Sequence, residues 1–266
     1  MSDDSSSAAH AVRGPLKRAL YAAVVSAGYI LWAIVAIFVI GSLGAWLVLL
    51  GLRQVGVSLD QMAEPVAQMT VVSLVYLLGT AALLLEPRFV RRMSLERIGE
   101  LLGVVKKFHF RYVGLAVVAW GIYMVLTVIV QLLAARLLPW IDFTQEQQLG
   151  FDSLGSGFEV AIAFVVIVVA VPLIEEIVFR GYLYGGVRRH MPWWLAAVVV
   201  SIVFGAVHGQ WNVAFDTFVL SMAACYLRER TGTIWAGVLV HAFKNSVAFY
   251  FLFVAPESLR NLLIAS

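Results

Sequence analysis

The sequence predicts an all-α fold, a polytopic membrane helix bundle of about seven transmembrane helices with its N-terminus in the cytoplasm. Three observations predict it. Of 266 residues, 62% are hydrophobic and 13% charged, and mean hydropathy is +0.90; soluble domains are roughly half apolar and a quarter charged. The apolar residues fall in runs close to the ~20 residues that a spanning helix needs. The basic residues sit between those runs instead of lining one face. That placement suits membrane orientation, so the pI of 9.1 and net charge of +3 are not read as a nucleic-acid signal. The single cysteine, Cys225, excludes an intramolecular disulfide framework and a cysteine-based metal cluster.

In chain order, residues 1–18 begin polar and serine-rich and are expected to form a disordered cytoplasmic tail. The apolar run from 19 to 52 is far longer than a signal-peptide core, so it is expected to be a retained first helix. Seven candidate spans follow from hydropathy: 20–51, 66–86, 112–136, 158–187, 193–208, 212–227 and 233–254; Gly209-Gln210-Trp211-Asn212 joins two rather short runs, which can form a hairpin that does not fully cross. Pro65, Pro87, Pro139, Pro192 and Pro256 fall at or near their ends, where proline is tolerated. Pro172 lies inside the fourth span and is expected to kink it or free a carbonyl. Counting Arg136 with the loop it borders, the segments outside the spans hold 3, 1, 7, 1, 2, 0, 2 and 1 basic residues. High and low values alternate, which places the N-terminus inside and the C-terminus outside. In the loop with seven, Leu95, Ile98, Leu101, Leu102 and Val105 repeat at helical spacing after Ser94, predicting a short capped helix on the cytoplasmic membrane surface. Trp140, Trp193, Trp194 and Trp211 lie near span ends, as an interfacial aromatic belt requires.

The polar residues within the spans carry the functional signal. Glu175, Glu176 and Arg180 occupy the fourth run, His208 ends the fifth, and His241 and Asn245 share the seventh. A charge at the centre of a spanning helix costs about 2.5–3.5 kcal/mol on insertion scales, so such groups mark function. At ~1.5 Å per residue from each span's cytoplasmic end, Glu175 lies ~18 Å deep, His208 ~22 Å and His241 ~12 Å. Three helices running in different directions thus bring polar groups to the middle of one ~30 Å slab.

Spacing assigns roles. Glu176 and Arg180, four apart, share a helical face and suit an ion pair. Glu175 and Arg180 point about 140° apart, leaving Glu175 free for other work. Phe204, four residues before His208, is placed to wall the imidazole. A free carboxylate in a low-dielectric site is a competent general base near neutral pH. Histidines facing it can orient water, bind a metal or donate to an oxyanion, and an asparagine amide can donate to an oxyanion or hold His241 in one tautomer. These are the parts needed to hydrolyse an amide bond.

Glu175-Glu176-Ile-Val-Phe-Arg180, Phe204-Gly-Ala-Val-His208 and His241-Ala-Phe-Lys-Asn245 together resemble the EExxxR, FxxxH and HxxxN motifs of the CPBP (CAAX protease and bacteriocin-processing, or Abi) family of intramembrane endopeptidases. The resemblance covers about residues 155–255. It implies a catalytic core over 153–256; the N-terminal membrane helices with their basic loop over 19–152 match the family only in being membranous, and a C-terminal tail is expected over 257–266. It also implies a peptidase of the inner or plasma membrane that acts on peptide or protein substrates; CAAX-type members remove three residues after a prenylated cysteine. By position, Glu175 activates water with help from His208, His241 and Asn245 stabilise the oxyanion, and Glu176, Arg180 and Phe204 support them. The resemblance leaves both a zinc-dependent and a metal-free glutamate mechanism open. Glu175, His208 and His241 would form a three-ligand zinc set, although the HExxH helix that usually builds one is absent.

Lys244 has no place in that pattern. It needs a partner or must snorkel to water, and Glu159 and Asp216 are expected within reach only if helices shift. Membrane lipids are expected partners; nucleic acid is not. Two other functions use the same residues: a non-catalytic scaffold or immunity-type protein with this fold, and an ion-coupled transporter, which also keeps acids at the midplane.

Overall fold

The computed structural model describes residues 14–143, 145 and 154–255. The tails expected at 1–18 and 257–266 lie outside the described residues, the first as far as residue 13. Eight helices make up the described chain: α1 (Leu16–Gln54), α2 (Glu64–Val90), α3 (Leu95–Leu102), α4 (Arg111–Leu137), α5 (Gly157–Val187), α6 (Trp193–Ala206), α7 (Trp211–Thr231) and α8 (Trp235–Val254). No strand occurs among the described residues. The outer faces of α1 and α4 expose Leu31, Val39 and Leu47, and Val118, Val125 and Leu132. Apolar faces this extensive need lipid, so the chain is an integral, multi-pass membrane protein. Trp140, Trp194 and Trp211 are exposed near helix ends, as an aromatic belt requires.

Five helices, α1, α2, α4, α5 and α8, are long and apolar enough to cross a membrane. The expectation of seven spans is corrected in its fifth and sixth members. α6 has 14 residues, about 21 Å against a ~30 Å hydrocarbon layer. α7 has 21 residues but carries Asp216, Arg228, Glu229 and Arg230, a composition that a plain lipid-facing span does not tolerate. The two form a tight hairpin, as the short runs on either side of Gly209-Gln210-Trp211-Asn212 allow. A Cβ at Gly205 would lie 2.7 Å from Ala214 O, and Ser201 donates to Ser221 across the buried seam at 2.9 Å.

α3 forms where its periodicity places it. Ser94 Oγ accepts from Arg97 N–H at 3.3 Å, and Gly103 closes the helix with φ +72°. Its apolar side does not lie on the membrane surface as expected. Ile98, Leu101 and Leu102 are buried, because Gly181 and Gly185 let the backbone of α3 approach α5. A Cβ at Gly181 would stand 3.0 Å from Leu102 Cα, and one at Gly185 2.8 Å from Leu101 O. α3 therefore braces α5 just beyond its Glu-Glu pair. α1 and α2 cross equally closely: a Cβ at Gly41 would stand 2.5 Å from Val75 O, and one at Gly79 2.7 Å from Ile37 Cα. Small residues at such crossings replace the hydrophobic drive that lipid removes.

Candidate active site

α5 is built to present Glu175 and Glu176. Its backbone widens to π-helical turns at Val165–Ala170 and Ile177–Leu183, on either side of the α-helical Val171–Glu176. Such widened turns concentrate at functional positions. Val171 N–H reaches back five residues to Val166 O. Pro172, next in that register, has no N–H to give Ile167 O. Asn245 Nδ2 on α8 donates to this freed carbonyl at 2.8 Å. The proline expected to free a carbonyl does so, and the amide expected at an oxyanion or at His241 has one N–H tied to backbone. Its second N–H remains for the cavity that Asn245 lines.

That cavity, about 310 Å³, gathers Glu175, His208, His241, Lys244 and Asn245 from three parts of the chain. Gln68, Tyr76 and Thr217 complete its polar wall, and Met69, Val72, Ile167, Phe249, Leu252 and Phe253 form an apolar one. Glu175 is 6% exposed. Its Oε1 accepts from Tyr76 OH at 2.6 Å, and its Oε2 lies 3.6 Å from His241 Nε2. His208 follows α6 in the turn that Gly209 closes at φ +70°. His208 Nδ1 stands 2.7 Å from Phe204 O. A carbonyl only accepts, so Nδ1 carries the hydrogen and the neutral ring keeps its Nε2 lone pair.

Glu176 and Arg180 are both fully buried, with Nη1 2.8 Å from Oε1. The contact is one of charge: Glu176 Oε2 and all three guanidinium nitrogens lack hydrogen bonds. Arg180 instead lies over the Phe204 ring, 4.4 Å from its centroid. His241 Nδ1 is 3.2 Å from Glu176 Oε1, so Glu176 performs the orienting task expected of Asn245. Phe204 meets both imidazoles edge-on, at 4.9 Å from His208 and 5.8 Å from His241. Every predicted site residue is thus in one connected cluster. Phe204, Glu176 and Arg180 sit behind the cavity wall, with Glu175, His208, His241 and Asn245 on it.

The three-ligand zinc set does not fit this geometry. Among the described residues no three His, Cys, Asp or Glu side chains converge to hold a metal ion.

One contact lies beyond the sequence reading, and another forms without the helix shift it was expected to need. Tyr76 comes from α2, and a lone tyrosine in an apolar run carries no signal of its partner. Lys244 Nζ lies 3.6 Å from Asp216 Oδ2 without any shift of helices. Asp216 is held by Thr127 at 2.8 Å and by Tyr123, both on α4.

Comparison with known proteins matches the segment that holds these residues. Residues 157–247, from the start of α5 into α8, match the family described as type II CAAX prenyl endopeptidase Rce1-like. The chain is 26% identical over 92 residues to the "Putative membrane peptidase YdiL" of Bacillus subtilis (strain 168), a stretch covering 35% of this chain and 36% of that one. It is 28% identical over 98 residues to an "Uncharacterized 24.3 kDa protein" of Escherichia coli, covering 35% of this chain and 45% of that one. The chain therefore spans less than half the length of these curated relatives. No solved structure matches it. Residues 157–247, which hold all three motifs, are similar to the type II CAAX prenyl endopeptidase Rce1-like family.

Proposed function

We propose that the protein is an intramembrane endopeptidase that hydrolyses a peptide bond near the membrane surface by a metal-independent, glutamate-based mechanism. One observation carries the reading: Glu175 from α5, His208 from the turn after α6, and His241 and Asn245 from α8 line a single cavity. In the proposed reaction Glu175 takes a proton from water as the water oxygen attacks the scissile carbonyl carbon. His208 Nε2 orients that water, while the free N–H of Asn245 faces the developing oxyanion and His241, held by Glu176, stands beside it. Collapse of the tetrahedral intermediate breaks the C–N bond, and the proton on Glu175 passes to the departing amine. One water is consumed, and an acid and an amine result. Glu176 and Arg180 hold His241 and the α5 backbone in place; the core spans residues 153–256.

The substrate class follows from the family and the cavity. A family described by CAAX prenyl endopeptidases, together with the apolar wall of Val72, Phe249, Leu252 and Phe253, supports a lipid-modified CAAX-type peptide or a hydrophobic leader peptide. The name of the Bacillus relative supports membrane peptidase activity. Alternation of basic residues supports placement in the inner or plasma membrane with the N-terminus cytoplasmic and the site open to that side. The test incubates purified protein in lipid nanodiscs with farnesylated and unmodified peptides of identical sequence, products being identified by mass spectrometry. Cleavage at one bond is expected, faster for the farnesylated peptide if the prenyl reading is right. No cleavage of prenylated or leader peptides would end the peptidase assignment.

A further inference from the structure

Tyr76 lies outside the matched segment, on a helix that composition alone marks as an ordinary span, yet its hydroxyl makes the shortest contact to Glu175. We propose that Tyr76 is a positioning residue: it holds Glu175 Oε1 so that Oε2 stays turned to the water-binding side of the cavity. The proposal rests on the reading of Glu175 as the water-activating base.

Three observations converge on it. The 2.6 Å O–H···O distance is that of a charge-assisted bond to a carboxylate. Oε2 is 3.6 Å from His241 Nε2, longer than a hydrogen bond, so the second oxygen is left open for water. Glu175 also stands between two cavities. The second, about 100 Å³, shares Tyr76, Glu175 and His208 with the first but is otherwise lined by apolar residues such as Ile37, Phe38 and Val203. Without the phenol the carboxylate has space to swing away from His241 into that apolar chamber. Misplacement of a reacting group by about 1 Å can cost about 10²-fold in rate.

The support for Tyr76 is itself rigid. Gly79, one turn further along α2, packs against Ile37 with no room for a methyl group, and Val75 O meets Gly41 in the same way. The α1–α2 crossing therefore sets where the hydroxyl stands. His208, Thr217, His241, Lys244 and Asn245 on this cavity come from the C-terminal half of the chain, whereas Gln68 and Tyr76 come from α2. Of these two, Tyr76 is the one that bonds Glu175.

The test compares Tyr76→Phe with wild type and Glu175→Gln on a farnesylated CAAX peptide in nanodiscs. The expected result for Tyr76→Phe is a fall in kcat of about 10–100-fold with KM within twofold. Unchanged kcat with an inactive Glu175→Gln overturns this proposal alone, whereas a fully active Glu175→Gln removes the reading beneath it. A rise in KM at constant kcat overturns it too, because it would place Tyr76 on the substrate. A second measurement needs neither turnover nor a change of shape. The infrared carboxylate band of Glu175, identified by its loss in Glu175→Gln, is recorded with 3-fluorotyrosine at position 76. The more acidic phenol is expected to shift that band; an unmoved band overturns the proposal.

Discussion

Replacing Arg180 by methionine tests the buried charge system behind the site. Glu176 and Arg180 are fully buried, and their closest atoms are 2.8 Å apart. Opposite charges about 4 Å apart attract by about 4 kcal/mol at an effective dielectric constant of 20. Breaking a buried pair by removing one partner typically costs about 3–5 kcal/mol, because the other charge is left uncompensated. The guanidinium meets Glu176 mainly through charge, and methionine can fill the space beside the Phe204 ring, so the loss is mainly electrostatic. Arg180→Met is therefore expected to lower the unfolding temperature in detergent by about 6–20 °C, at roughly 2–4 °C per kcal/mol for a chain of this size. Glu176→Gln combined with Arg180→Met removes both charges and keeps an oxygen that accepts from His241 Nδ1. The double variant is expected to recover most of the lost stability. A double variant as unstable as Arg180→Met would refute the reasoning and show that Arg180 acts through packing.

Further expectations follow from single contacts. A Cβ at Gly237 would stand 2.6 Å from Glu176 Oε2, and Glu176 is pinned by Arg180 and His241. Gly237→Ala is thus expected to cost about 1–3 kcal/mol and to slow cleavage; wild-type thermal stability and rate would show that Glu176 has room to move. At the loop end of the bundle, hydrogen bonds from Arg188 hold the Glu229 carboxyl below its usual range, helped by Tyr184 and opposed by partial burial. A depressed carboxylate stabilises the fold above about pH 4.3, its ordinary value, and loses that contribution as pH falls through its lowered one. Wild type is expected to melt above Glu229→Gln at neutral pH and to converge with it in acid; a gap that persists in acid contradicts the ion-pair origin. Exhaustive chelation is expected to leave cleavage unchanged, and a loss of rate restored by zinc would contradict the metal-independent mechanism.

Much of the architecture is legible in the linear sequence because lipid imposes a simple demand. Runs of apolar residues with prolines at their ends mark α1, α2, α4, α5 and α8 to within a few residues. The site is legible for the same reason: in apolar surroundings Glu175, Glu176, Arg180, His208 and His241 stand out, and helical spacing pairs Glu176 with Arg180. The rest depends on the third dimension. Nothing in the hydropathy period announces the π-helical turns around Val171–Glu176. Pro172 shows that a carbonyl is freed, but not that Asn245, 73 positions further along the chain, will claim Ile167 O. Helix order along the chain does not say that α2 packs beside α5, so Tyr76 stays invisible until the bundle is assembled. Lys244 and Asp216 looked too far apart because depth was counted along straight, full-length spans, whereas α6 and α7 form a hairpin whose first helix is too short to cross.

The most direct measurement is the cleavage rate of Glu175→Gln, His208→Ala and the double variant in nanodiscs, on whichever peptide the wild type cuts. A carboxylate and an imidazole that activate one water act as a unit, so each single variant is expected to fall about 10²–10⁴-fold, with the double no slower than the worse single. Single variants that keep the wild-type rate, or losses that simply multiply, would contradict a shared water in this cavity.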